Sequence, residues 1–427
     1  MTYPRTLHVG FNPIGSSTNT GLTLASMFHS WPRDDLFELY MMSRQPLQRR
    51  GQVLIASPWA APLDASARKV LGSRIPSPVP DGMNNSIRGR SEGLPLRFRL
   101  RSIATTLNEI GPVNARGRWL APVDVFRPEV IHSLLGGVRI TKLVAALADR
   151  FDVPVVPHFM DDWLDNLFAD GQLLGLPRRE VERSVRRVLR RAPLALTIGQ
   201  DMRQEFERRL ALPCEVVGNS VDFGEFARLG RKSRLSEPRT MTYIGGLHLG
   251  RDRTLSVLAS SLRRLGSEVR LVVHAGQSDA GRVSDLVRQF PEVVQAGQTL
   301  VPDQVPKMLV DSDVLVFVES TRPEIFSFTR LSVSTKVPEY LAARRPILVL
   351  GPATQSSVRA LVADPASRYA DPSDGAEIDR AVQQLLASAD RDFPSVSPEL
   401  LEIFDRARTQ QRLCDALDRA ASAGRPQ

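Results

Sequence analysis

Residues 328–352 read "FTRLSVSTKVPEYLAARRPILVLGP". Four hydroxyl side chains, Thr329, Ser332, Ser334 and Thr335, crowd the front of the stretch, and Lys336 follows them. A short helical phrase and an apolar strand come next. A helix starting near Thr335 presents unpaired backbone N–H groups and the positive end of its dipole. Ser334 or Thr335 can cap it, and Pro338 falls in the first turn, where a missing N–H is tolerated. Lys336 adds a compact full charge beside that dipole, so the stretch predicts a diphosphate site. Glu339, on the same helix, would repel phosphate but suits sugar hydroxyls such as those of a ribose. A capped surface helix with an incidental glutamate fits the same local residues, but it leaves the crowding of hydroxyls without a purpose.

Outward from this stretch, apolar β-rich runs alternate with amphipathic ones. Strands are expected at 6–11, 36–42, 52–56, 129–133, 153–158, 194–199 and 214–218. A second set is expected at 240–246, 268–276, 293–297, 312–320 and 345–351. Alternating strands and helices, with strands apolar almost throughout, predict parallel sheets covered on both faces. The chain of 427 residues is too long for one core. It is expected to form an N-terminal Rossmann-like domain over 1–221 and a linker over 222–239. A C-terminal Rossmann-like domain over 240–394 follows, then a helical tail over 395–427 that can pack back on the first domain. Residues 57–127 form an irregular, basic insertion. Two such α/β domains are expected to place a ligand cleft between them, facing the carboxyl ends of the strands.

Two cysteines, Cys214 and Cys414, match neither a disulfide framework nor a metal cluster. The opening residues lack a signal-peptide pattern, and no apolar run is long enough to span a bilayer, so a cytoplasmic protein is expected. The net charge is +9, carried almost wholly by arginine. Its densest segment, residues 88–118, interleaves basic and apolar residues. Docking on an anionic membrane surface and a half-buried segment with a solvated basic face both fit it. No nucleic-acid-binding module accompanies the charge.

The first loop, "FNPIGSSTNTG" (11–21), joins a strand to a helix through Gly15, Ser16 and Ser17. It can approach a ligand closely, or it can be an ordinary strand-to-helix turn. His158, followed by Asp161 and Asp162, ends a strand and can do acid–base or hydrogen-bonding work; a buried, satisfied histidine is the alternative. The two aspartates lack further oxygen ligands nearby, so no metal and no cofactor are expected.

In series these phrases resemble family 4 glycosyltransferases, retaining enzymes of the GT-B fold. "STKVPEYLAARRPILVLGP" is similar to that family's C-terminal signature. "CEVVGNSVDFGEF" is similar to the phrase closing its N-terminal domain, with Asn219, Asp222 and Phe226 on matching positions. "TYIGGLHLGRDRTLSVLASSL" resembles the opening of its nucleotide-sugar domain. The resemblance covers most of the chain outside residues 57–127. It implies transfer of a sugar from a nucleotide-diphosphate donor to a glycan or lipid-linked acceptor, in bacterial envelope polysaccharide or glycolipid synthesis. It places His158 near the reacting sugar, Ser334, Thr335 and Lys336 at phosphate, Glu339 at the nucleotide ribose, and Gly245 and Gly246 at the diphosphate. The sequence departs from the family twice. Leu331 stands where the family's first glutamate is expected, which leaves Glu324 as a substitute. The usual basic pair after the glycine turn is displaced, with Arg251 the nearest replacement and Arg253 the next. A nucleotide-sugar epimerase of the same fold and a non-catalytic partner subunit are the alternatives.

Overall fold

The computed structural model describes residues 3–16, 19–41, 51–55, 60, 106–107, 109–169, 172–230, 236–266, 269–388 and 396–424. Most of the insertion expected at 57–127, residues 88–105 of its basic segment included, lies outside them, as does Ser17. The chain divides into two compact units, Met1–Gly218 with Ala407–Gln427, and Asn219–Arg406.

The first unit holds seven parallel strands: β1 (Thr6–Gly10), β2 (Leu36–Tyr40), β3 (Gln52–Ile55), β4 (Val130–Ser133), β5 (Val155–Phe159), β6 (Ala195–Thr197) and β7 (Cys214–Val216). They lie in the order β3-β2-β1-β4-β5-β6-β7, so strand order reverses between β1 and β4. Its core joins Ile14, Leu24, Phe28 and Trp31 to Val156 and Leu196. Leu413, Cys414, Leu417 and Ala420 of the last helix, Arg406–Ala423, complete that core.

The second unit holds six: β8 (Arg239–Ile244), β9 (Val269–His274), β10 (Val294–Ala296), β11 (Val314–Val318), β12 (Ile347–Leu350) and β13 (Ser367–Ala370), in the order β10-β9-β8-β11-β12-β13. All are parallel, and the order reverses between β8 and β11. The run VLVFV of β11 is buried throughout, as a strand covered on both faces must be. The helix Arg251–Leu265 buries Leu255, Leu258, Ala259 and Leu262, the i, i+3, i+4, i+7 stripe that seats a helix on a sheet.

Two details differ from the sequence reading. The stretch 222–239 falls inside the second unit. Asp222 caps a helix, Phe223–Arg228, by accepting from the Glu225 N–H at 2.9 Å, and Phe226 is buried. The edge strand β13 was not expected; "SRYA" has one exposed arginine and no apolar run to announce it.

Candidate functional site

In the second unit the carboxyl ends of β8 and β11 flank the point where strand order reverses, which is where open α/β sheets bind ligands. Three chain segments meet there. After β8 come Gly245 and Gly246. Gly245 has φ +144, a conformation side chains rarely adopt, and its N–H donates to His274 O at 2.9 Å. A Cβ on Gly245 would lie 2.3 Å from Lys336 Nζ and Cε, so the lysine occupies the place of the missing side chain.

Lys336 opens the helix Lys336–Ala343. Its Nζ donates to Tyr243 Oη at 3.1 Å and stands 4.4 Å from the centre of that ring. Tyr243 in turn donates to Gly246 O at 2.6 Å, which ties the lysine to the glycine turn. Burial, then the charge of Arg251, pulls the Lys336 pKa down to about 7, against Glu319 and Glu339. Burial pushes Glu339 up to about 7, against Lys336. Both are half-buried and poised to change charge near neutrality.

The hydroxyls before this helix hold the loop more than they cap it. Thr335 is the N-cap residue without a side-chain capping bond, and Ser334 Oγ accepts from Lys336 N only at 3.4 Å. Thr329 Oγ1 donates to Ile325 O within its own helix. Ser334 N donates to Ser357 Oγ, which itself donates to Ser332 O.

Arg251 forks onto Glu319 through contacts of 2.9, 3.1 and 3.2 Å. Glu319, just past β11, is 3 % exposed, and sequence reading missed it. The signal was the carboxylate closing an apolar strand, "SDVLVFVES". The pairing neutralises much of Arg251's charge. Arg253 is exposed. Glu324 is exposed and pairs with Arg322 (2.7 Å), while Leu331 is buried. Asn219 donates to Val333 O at 2.7 Å, fastening the start of this unit to the loop before Lys336.

In the first unit, His158 on β5 is fully buried, the alternative left open by the sequence. Its Nε2 donates to Val217 O at 2.8 Å. A carbonyl only accepts, so the remaining protons follow. His158 Nδ1 accepts from His132 Nε2 (3.2 Å), and His132 Nδ1 accepts from His8 Nδ1 (2.9 Å). His8 Nε2 is left buried without a partner. Burial, aided by the neighbouring imidazoles, lowers His8 to about 3 and His132 well below its ordinary value. Burial lowers His158 to about 4, against its bond to Val217. The three rings are therefore a neutral column across β1, β4 and β5.

Asp162 is buried and bound bidentately by Arg209 at 3.0 Å, whereas Asp161 is exposed. Gly15 has φ +76, and its N–H donates to Gly21 O, closing the first loop onto the helix that follows; Ser16 is buried in it. Among the described residues no group of three His, Cys, Asp or Glu could hold a metal ion, and no helix is long and apolar enough to cross a membrane.

No protein-family model and no curated protein sequence matches the chain. It is similar in structure to Anabaena Alr3699/HepE in complex with UDP and glucose, with 13 % identity over 97 % of this chain and 100 % of that one (TM-score 0.59). It is similar to the alpha,alpha-trehalose 6-phosphate synthase of Burkholderia multivorans, with 11 % identity over 99 % and 100 % (TM-score 0.60). A third is the apo lipopolysaccharide outer core galactosyltransferase WaaB, with 11 % identity over 97 % and 99 % (TM-score 0.52). With its two parallel sheets of seven and six strands, the chain has the GT-B fold.

Proposed function

We propose that this chain is a retaining glycosyltransferase of family 4 type that moves a hexose from a nucleotide-diphosphate donor to a glycan or lipid-linked acceptor in envelope polysaccharide or glycolipid synthesis. The observation that carries the reading is Lys336, its ammonium packed against the bare backbone of Gly245 where strand order reverses. A diphosphate along Gly245 and Gly246 would meet that charge and the amino end of the Lys336 helix together. Breaking the donor's bond leaves a nucleoside diphosphate with growing negative charge. Preorganised cations aimed at such charge are worth on the order of 3 kcal/mol each. In this reading the protein's own cations do this work without a metal. Lys336 is catalytic, and Arg251, steered by Glu319, supports it. Glu339 accepts from ribose hydroxyls. His158 is a positioning residue, its tautomer fixed by His132 and Val217.

The relative crystallised with UDP and glucose makes UDP the first nucleotide to try. Thermal melts with UDP, GDP, TDP and ADP, on wild type and Lys336→Ala, test the reading. A nucleotide at about 100 times its Kd stabilises the fold by roughly 2.7 kcal/mol. One nucleotide should shift the wild type and leave the variant unmoved. If none shifts the wild type, the transferase reading fails.

Docking on an anionic inner membrane face is part of the same proposal. The helix Leu176–Leu189 and the residue after it carry exposed Arg179, Arg183, Arg186 and Arg190 at helical spacing, beside exposed Leu176. Only Arg183 of the four has an acidic partner among the described residues. Such a stripe suits anionic lipid headgroups.

A further inference from the structure

The loop after β8 reads "GGLHLG" (245–250), and its two glycines are used alike. The space of a Gly245 side chain holds the Lys336 ammonium. The space of a Gly246 side chain holds the His248 imidazole, since a Cβ there would lie 2.5 Å from His248 Nδ1 and 2.6 Å from Cε1. Two nitrogen bases thus lie against consecutive bare peptide units. His248 is exposed, and among the described residues nothing hydrogen-bonds its ring. The loop beneath it is fixed, because Asp279 Oδ2 accepts from Leu247 N at 3.0 Å while Asp279 Oδ1 pairs with Arg282 at 2.5 Å. The charged groups facing His248 are Arg251 on the following helix, Asp279 and Arg282 from the segment after β9, and Lys336. Three are cations and one is an anion already engaged.

Resting on the nucleotide-sugar reading above, we propose that His248 is a switchable second cation of the diphosphate site, neutral over an empty site and an imidazolium once phosphates lie along Gly245 and Gly246. The proton comes from solvent, and no bond to the ligand is made or broken. Partial covering of the ring, then Arg251, holds its affinity for a proton below the ordinary value, with Lys336 and Arg282 adding to this and Asp279 opposing it. A diphosphate reverses the sign of that local field, and a nearby opposite charge favours the charged imidazole. By linkage, a proton taken up on binding tightens binding as pH falls. The device fits a leaving group. The site gains a positive charge when the dianion is present and sheds it when the product leaves.

The test uses the full chain with 15N-labelled histidine. Its six histidines give a sparse long-range 1H–15N spectrum, in which His248→Gln identifies the ring. Inorganic pyrophosphate and UDP are titrated in at several pH values. Saturation should bring the two His248 nitrogens to imidazolium positions and raise the pKa of that ring by about one unit or more. His248→Gln should weaken UDP at pH 6.5 more than at pH 8.5. If UDP binds and depends on Lys336 while the His248 ring stays neutral, the inference is overturned and the transferase reading stands. If neither probe binds, both are overturned.

Discussion

The column His8–His132–His158 makes a stability prediction that does not depend on how deeply its members are shifted. Each imidazole has an ordinary pKa of 6.5 when unfolded; when folded His8 lies at about 3, His158 at about 4, and His132 is held well below its ordinary value by burial. Between pH 7 and 5 the folded column stays neutral while the unfolded rings take up protons. The unfolded state thus binds more protons, and stability falls with falling pH. The contribution is fully present above pH 6.5, declines below it, and stops declining only near pH 4 to 3. Each ring goes from about one quarter protonated at pH 7 to nearly fully protonated at pH 5, a change of about 2 kcal/mol, or about 6 kcal/mol for three. That is a large share of a typical folding free energy of roughly 5–15 kcal/mol. Carboxylates held low, such as Glu205 at about 2, add their loss below pH 4.5, outside this window. Among the described residues every tryptophan, Trp31, Trp119 and Trp163, belongs to the first unit, so tryptophan fluorescence during urea unfolding follows that unit. His8→Phe should remove about one third of the pH 7-to-5 loss. It should also cost about 1–3 kcal/mol at pH 7, because His132 Nδ1 loses its donor. A total loss below about 2 kcal/mol, or one unchanged in the variant, would mean the column is charged when folded, and the reasoning fails.

Three further outcomes follow from the second unit and the arginine stripe. Gly245→Ala puts a methyl group on Lys336 and strains a φ of +144, so nucleotide binding should fall as far as in Lys336→Ala, with about 1–3 kcal/mol of stability lost; calorimetry that finds wild-type affinity rejects the packing of lysine on glycine. Lys336 near pKa 7 must be charged to hold a diphosphate, so its contribution to affinity should fall by up to about tenfold per unit above pH 7, and Lys336→Arg should remove that part of the pH profile. Replacing Arg179, Arg186 and Arg190 by Glu should abolish co-sedimentation with anionic vesicles, each arginine near the surface being worth about 1 kcal/mol; binding unchanged by the triple variant rules the stripe out as the docking face.

How much of this the sequence revealed depends on whether a feature is local or long-range. Strand runs such as VLVFV and the stripe Leu255, Leu258, Ala259, Leu262 were legible because burial imposes a period on neighbouring residues. Lys336 stood out because it follows hydroxyls at a helix start. The Arg251–Glu319 pair joins residues 68 positions apart and was not legible, since a register of one sheet against one helix decides it. The histidine column was hidden for the same reason. His8, His132 and His158 lie on three strands that become neighbours only through the strand order, and singly each reads as a strand residue. Reading His158 alone left acid–base work and a buried, satisfied histidine both open, whereas the fold supplies a partner for each of its nitrogens, His132 on the neighbouring β4 and the Val217 carbonyl just past β7.

The two units treat the place where strand order reverses in opposite ways, and this bears on which can handle a diphosphate. In the first, β1 and β4 carry His8 and His132, neutral and buried, and the buried Arg139 just past β4 is paired with Glu109, so among the described residues this place offers a dry hydrogen-bonding column and a neutralised ion pair. In the second, β8 and β11 end in a glycine turn and a buried glutamate, with Lys336 and Arg251 between them. Glu319 cancels much of Arg251, so the positive charge left for a ligand rests on Lys336, itself half neutral at pH 7. Had a glutamate stood at Leu331, a further carboxylate would lie on the loop leading to that lysine. With Leu331 buried instead, the loop carries no acid there. On the transferase reading proposed above, donor binding would depend on the diphosphate more than on a carboxylate gripping the sugar. That predicts tolerance among donors sharing one nucleotide, and sharp dependence on the nucleotide's two phosphates.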